Sequence, residues 1–410
     1  MAEGFVKKIK PSKISNLAIG LGLSILISQA ALAGPREQAK RIHDRLAGVP
    51  PSAATLDAME TEIGSGDQIG AAYRAMNNSA FYSVTLKNFV APWTNEAQTV
   101  FTPLNDYTAT VIGMVRDDLD IREMLSGDVI YTGNATGLTP YSNSNNNHYQ
   151  EMEDQALDLQ AVLQQSTQSS VTGIEANATA GVLTSRAAAK AFMIDGTNRA
   201  LFRFTLLNHL CGDLEPLKDI SRAADRIRQD VARSPGGDSR IFNNACYGCH
   251  AGMDPMIQAF AYYNYQYDVN ADPNGDNGQL IYNAVGTTDP VTGTQVQSKY
   301  FNNNANFPGG FITTDDKWDN YWRQGQNANV GWDNALPGGG NGAKTMGQEL
   351  ANSAKFAQCQ VEKVFANVCL RKPGNAADRA QIDSMITSLS NNNYQLKRTF
   401  AESAVYCMGD

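Results

Sequence analysis

Cys246-Tyr247-Gly248-Cys249-His250 occurs once in this chain of 410 residues. Two thiols three positions apart, followed directly by an imidazole, form the attachment signature of a c-type haem. Each thiol makes one thioether to a vinyl group of the porphyrin, and His250 presents a ring nitrogen to the iron as the proximal ligand. Two rivals use similar residues. A thioredoxin-like dithiol opens a helix after a strand, whereas 238–245 are polar and irregular, with no strand run. A zinc site needs a second ligand pair at comparable spacing; the remaining cysteines, Cys211, Cys359, Cys369 and Cys407, form no second Cys-x-x-Cys. The pentapeptide thus predicts one covalent haem c, with Cys246, Cys249 and His250 as its cofactor-binding residues.

Covalent haem attachment of this kind takes place outside the bacterial cytoplasm, and the N-terminus independently predicts export. Lys7, Lys8, Lys10 and Lys13 make a basic start, 17–27 is apolar and uncharged, and Ala31-Leu32-Ala33 before Gly34 fits a signal-peptidase site. The apolar run is short for a membrane span, so 1–33 is predicted to be a cleaved signal and the mature chain periplasmic or secreted. Cleavage removes four Lys and one Glu, which takes the net charge from −8 to −11. Such a chain is a poor nucleic-acid binder and is suited to meet a basic redox partner.

Outward from the haem box, helical periodicity dominates. Ala39, Ile42 and Leu46 share a stripe ended by Pro50-Pro51, and Val111, Met114, Val115 and Leu119 share another. A Ser/Asn-rich loop spans 141–147; helical pattern returns over 149–163 and over 186–209, where Gly196 splits the run. From 262 to 341 Asn, Gly, Asp and aromatic residues replace that periodicity, which predicts long loops with a small hairpin. Three helices are predicted over 349–370, 376–390 and 394–407. The fold class is mainly α. Its predicted parts are a helical N-terminal region (34–140), a central helical region (141–240), a loop-rich haem module (241–345) and a C-terminal three-helix segment (346–410).

The residues from Cys246 to Asp268, with His250, Asp254, Pro255 and Phe260, resemble the Cys-x-x-Cys-His-x-x-x-Asp-Pro box of a group of secreted cytochrome c-like proteins of environmental bacteria. The flanking helical regions follow the same order in that group, while the acidic end of the box differs, with Asn264-Tyr265-Gln266-Tyr267 before Asp268. The resemblance implies an exported monohaem cytochrome and supplies no substrate.

A proximal imidazole needs an acceptor on its second nitrogen, and a backbone carbonyl of 252–255 is the nearest in sequence, before a helix over 256–261. For the distal ligand His209, in an apolar helix, leads, ahead of Met346, His148 and Met408, with an open sixth site as the further alternative. Arg222, Arg226, Arg228, Arg233 and Arg240 are candidates for pairing haem propionates, with a solvated helix face as the alternative. Asp268, Asn270, Asp272, Asn274 and Asp276 alternate as in calcium loops but lack the closing Glu, so the run reads as a polar turn. Tyr262, Tyr263, Tyr265 and Tyr267 are expected to pack as aromatics or to shorten electron hops.

An oxidising compartment predicts disulfides among the remaining four cysteines. If the three C-terminal helices are joined by short turns, the second descends about 22 Å and the third climbs back about 20 Å. Cys407 then returns to the level of Cys369, and Cys211–Cys359 is left as the second bridge. With no catalytic triad or nucleotide loop in the sequence, the leading function is electron transfer to a redox partner protein or an extracellular acceptor. A haem-dependent peroxidase-like enzyme and a subunit of an extracellular cytochrome assembly are the alternatives.

Overall fold

The structure, a computed structural model, describes residues 33–194, 196–301 and 307–409. The predicted signal segment lies outside the described residues, apart from Ala33. The chain is mainly α. Pro35–Ala47, Ala53–Gly64 and Gln68–Met76 form an N-terminal trio, and Ser52 and Asp67 cap the second and third by accepting from Thr55 and Gly70. The predicted stripe Ala39, Ile42 and Leu46 is the buried face of the first. These helices pack against Ala354–Cys369 and Leu396–Tyr406 from the other end of the chain. A single apolar cluster therefore runs from Ala39 to Ala404. At its centre lies Asp106–Arg116, buried from Asp106 through Val115.

The C-terminal helices are Gly342–Ala351, Ala354–Cys369, Ala376–Asn391 and Leu396–Tyr406. The predicted first helix of this part is thus two helices. Ser353 breaks the run, because its side chain accepts from the Phe356 N–H and restarts the chain as an N-cap. The three helices beyond that break run as expected, and both disulfides form as expected: Cys369–Cys407 with Cα atoms 5.5 Å apart, and Cys211–Cys359 at 5.3 Å.

Elsewhere the helices are shorter than their periodicity suggests. Over 149–163 the helix Asn147–Asp154 stops where Ala156 takes a positive φ of 50°. A short turn, Leu159–Val162, follows, and Leu163–Ser166 pairs antiparallel with Ile130–Gly133. Over 186–209 the split is real, giving Arg186–Phe192 and Arg199–His209 around Gly196, whose φ is 65°. In the loop-rich stretch the expected hairpin is Tyr263–Gln266 with Gln279–Tyr282. A second ladder joins Lys317–Asp319 to Gly339–Asn341.

Candidate haem site

The haem box opens a helix. Asp238 caps Ser239–Ile241 by accepting from the Arg240 N–H. The chain then widens into a π-helical turn, Phe242–Cys246, and continues as the α-helix Tyr247–Ile257. Wide turns of this kind recur at functional sites because they re-aim the side chains that follow. At 3.6 residues per turn, Cys246, Cys249 and His250 fall within about 100° of one face. The expected turn over 252–255 with a helix starting at 256 is corrected: the helix runs through Pro255 to Ile257, followed by a 3₁₀ turn at Gln258–Phe260.

The other face of this helix is held tightly. A Cβ on Gly248 would lie 2.6 Å from Lys218 Cγ, and one on Gly252 would lie 1.9 Å from Trp322 Nε1. Glycine at these two positions lets the 218–220 loop and the Trp322 ring rest on helix backbone. The Asp219 N–H also donates to the Gly248 carbonyl, at 3.1 Å. Cys246 and Cys249 are the free cysteines; both are half-buried. Cys246 packs on a small apolar cluster of Ile227, Val231, Phe242 and Ala251. The Cys249 thiol points to the Leu214 carbonyl at 3.8 Å, and burial, then Glu215, push its pKa up.

His250 keeps 19% of its side chain exposed, and its Nδ1 lies 3.0 Å from Asp254 Oδ1. The acceptor is therefore a carboxylate one helical turn on, not a backbone carbonyl. Nε2 has no hydrogen-bond partner among the described residues. Asp254 is fully buried. Arg199, from the helix Arg199–His209, grips it with both arms, Nε to Oδ1 at 3.0 Å and Nη2 to Oδ2 at 3.1 Å. The Arg228 backbone N–H adds a bond to Oδ2 at 3.2 Å. Burial alone would raise the Asp254 pKa; Arg199, then His250, outweigh it and hold the carboxyl well below the usual range. Arg199 also binds Asp230, at 2.6 and 3.0 Å. An imidazole anchored at Nδ1, with Nε2 lacking a hydrogen-bond partner among the described residues and two free thiols adjacent in the chain, fits the donor set of a covalent haem. Ile220, 69% exposed, sits next to the box, and a Cβ on Gly248 would lie 3.3 Å from its Cγ2.

The proposed distal ligands lie elsewhere in the fold. His209 is in the main core, with its ring among Trp93, Tyr107 and Phe356. Its Nε2 is 2.7 Å from the Tyr107 hydroxyl, and its Nδ1 is enclosed without a partner. Both nitrogens of His148 are engaged: Nε2 accepts from the Gly133 N–H at 2.8 Å, and Nδ1 donates to the Thr139 carbonyl at 2.6 Å. Met346 is buried in the core, and the Met408 carbonyl accepts from Arg41 in the first helix.

The five arginines proposed for propionates all have partners within the chain. Arg222 pairs with Asp219, Arg226 with Asp319, and Arg240 with Asp238. Arg228 is buried, donating to Thr313 and to the Tyr300 carbonyl. Arg233 donates to the carbonyls of Ile227, Arg228 and Val231. Nor is 268–276 a cation loop. It is the connection of a hairpin, in which Asp268 and Asp272 accept from backbone N–H groups and Asp276 pairs with Lys190. Among the described residues no group of three or more His, Cys, Asp or Glu side chains converges as a bare metal ion would need. Tyr263 and Tyr265 are packing residues whose hydroxyls donate to the carbonyls of Ala178 and Gly275.

Arg199 and Asp230 were missed from sequence. Asp254 had a signal, its four-residue helical spacing from His250; Arg199, 55 positions from Asp254, had none. No family model, no curated protein and no solved structure matches the chain. Among the described residues no helix is long and apolar enough to cross a membrane.

Proposed function

We propose that the protein is an exported, single-haem c-type cytochrome of the secreted cytochrome c-like group, and that it transfers electrons to a redox partner or an extracellular acceptor. One observation carries the reading. Four cysteines are consumed in disulfides, while Cys246 and Cys249 stay free on one helix face beside an imidazole already anchored at Nδ1. Under this reading Cys246 and Cys249 hold the porphyrin by thioethers and His250 offers Nε2 to the iron. When bound, the haem supplies one-electron exchange. The chain's own residues orient the ligand through Asp254 and Arg199 and shield one side of the site with the 214–220 loop. Disulfides suit an oxidising compartment. The net charge, −8 for the full chain and more negative once 1–33 is removed, suits encounter with a basic partner.

The test is an optical spectrum of the matured protein, oxidised and reduced, followed by acid–acetone extraction. Covalent haem stays with the wild-type chain and is lost from the Cys246→Ser/Cys249→Ser double variant. Haem retained by that variant, or no haem spectrum in a wild-type chain matured in a host competent for cytochrome c assembly, overturns the reading.

A further inference from the structure

We propose that Asp254, fixed as an anion by Arg199, is the positioning residue that makes His250 a strong electron donor and holds the centre at low reduction potential. The inference rests on the haem reading above. A neutral carbonyl on Nδ1 would orient the ring. A carboxylate does more: the charge-assisted bond polarises the N–H and raises the basicity of Nε2. A more basic axial ligand favours the oxidised, more highly charged iron and so lowers the potential.

The surroundings keep that carboxylate charged. Asp254 is 0% exposed, and its two oxygens take both arms of Arg199 and the Arg228 N–H. A buried anion held this way keeps its charge, because losing it would strand the guanidinium. Arg199 does not cancel it completely. The same guanidinium also serves Asp230, so one cation divides its pull between two acids. Arg228 Nε lies 3.5 Å from Asp230 and balances the group as a whole. Two arginines and two aspartates therefore lock the helix Tyr247–Ile257 to the helix Arg199–His209, and within this balanced group it is the carboxylate oxygen of Asp254 that is held against His250 Nδ1, at 3.0 Å.

The experiment measures midpoint potentials of the haem-loaded wild type, Asp254→Asn and Asp230→Asn. Asn at 254 keeps an acceptor for Nδ1 but removes the charge. The reduced-to-oxidised ratio at a fixed poise should rise at least tenfold, a shift of about 59 mV for a one-electron couple. Asp230→Asn leaves His250 and Asp254 untouched and gives Arg199 wholly to Asp254. Its potential should rise as well, by less. An unchanged or lowered potential in haem-loaded Asp254→Asn overturns the inference and leaves the haem reading standing. If Asp254→Asn fails to fold, Asp230→Asn decides: a rise supports the inference and no change overturns it. Wild type without covalent haem removes the reading on which the inference rests.

Discussion

Gly252→Ala is a sharp test of the packing behind the haem box, because two effects oppose each other and their sizes differ. Gly252 lies inside the helix Tyr247–Ile257, where replacing Gly by Ala ordinarily stabilises by roughly 0.5–1 kcal/mol. Here the new methyl would lie 1.9, 2.5 and 2.8 Å from Nε1, Cε2 and Cδ1 of Trp322. The indole has little room to yield. Trp322 is fully buried and its ring lies 5.9 Å from that of Phe202; its backbone N–H donates to Asn320 Oδ1 at 2.9 Å and its backbone carbonyl accepts from the Trp332 indole N–H at 3.0 Å, so the residue is anchored at its backbone. Overpacking of a fixed core typically costs 1–3 kcal/mol, occasionally more, and contact below 2 Å with a fixed ring belongs at the upper end. The net expectation is a loss of about 2 kcal/mol. Gly64→Ala is the control: it ends the helix Ala53–Gly64, with nothing within 4 Å of the added methyl, and should be neutral or gain up to about 1 kcal/mol. Urea denaturation followed by tryptophan fluorescence measures both. A Gly252→Ala chain as stable as wild type, or shifted like Gly64→Ala, would refute the close approach of Trp322 to the helix.

The disulfides should rank by loop length. The Cys211–Cys359 bridge closes a separation of 148 residues and Cys369–Cys407 one of 38. On the chain-entropy model their removal costs about 5 and about 4 kcal/mol; thermal melts of the paired Cys→Ser variants check the order, and a larger loss at Cys369–Cys407 contradicts it. Stability should also fall on acidification through the histidine range. Burial, with Lys363 adding, holds His209 well below its ordinary 6.5, and burial also lowers His43. The unfolded chain then takes up protons near pH 6.5 that the folded chain refuses. Stability is full above that pH and falls below it by about 1.4 kcal/mol per pH unit through His209, with a smaller further loss through His43. Unfolding free energies from pH 8 to 5 should show this slope, reduced in His209→Gln; the same slope in that variant would refute the assignment.

Much of the site was legible because its chemistry is local. The candidate haem box needs two thiols and an imidazole within five consecutive residues, whereas the helix that presents them, Tyr247–Ile257, was expected to begin only at 256. The pairing of Cys369 with Cys407 was readable for a related reason: two helices of known rise joined by short turns return the chain to its starting level. The mainly α class came from periodicity, which also misled where it stood alone, as over 149–163. A residue with positive φ and a cap inside that run carry no apolar signature.

What only the tertiary structure decided concerns partners far apart in the chain. Whether His209 faces a cofactor or the core depends on Tyr107, Trp93 and Phe356, contributed by three other helical segments. The grip of Arg199 on Asp254 came from two helices packing side by side. The residues that the proposed haem attachment calls for are neighbours along the chain, so sequence alone carries that proposal. The electrostatic setting of His250 is specified by groups that meet only when 199, 228, 230 and 254 are buried together, and burial is a property of the folded chain.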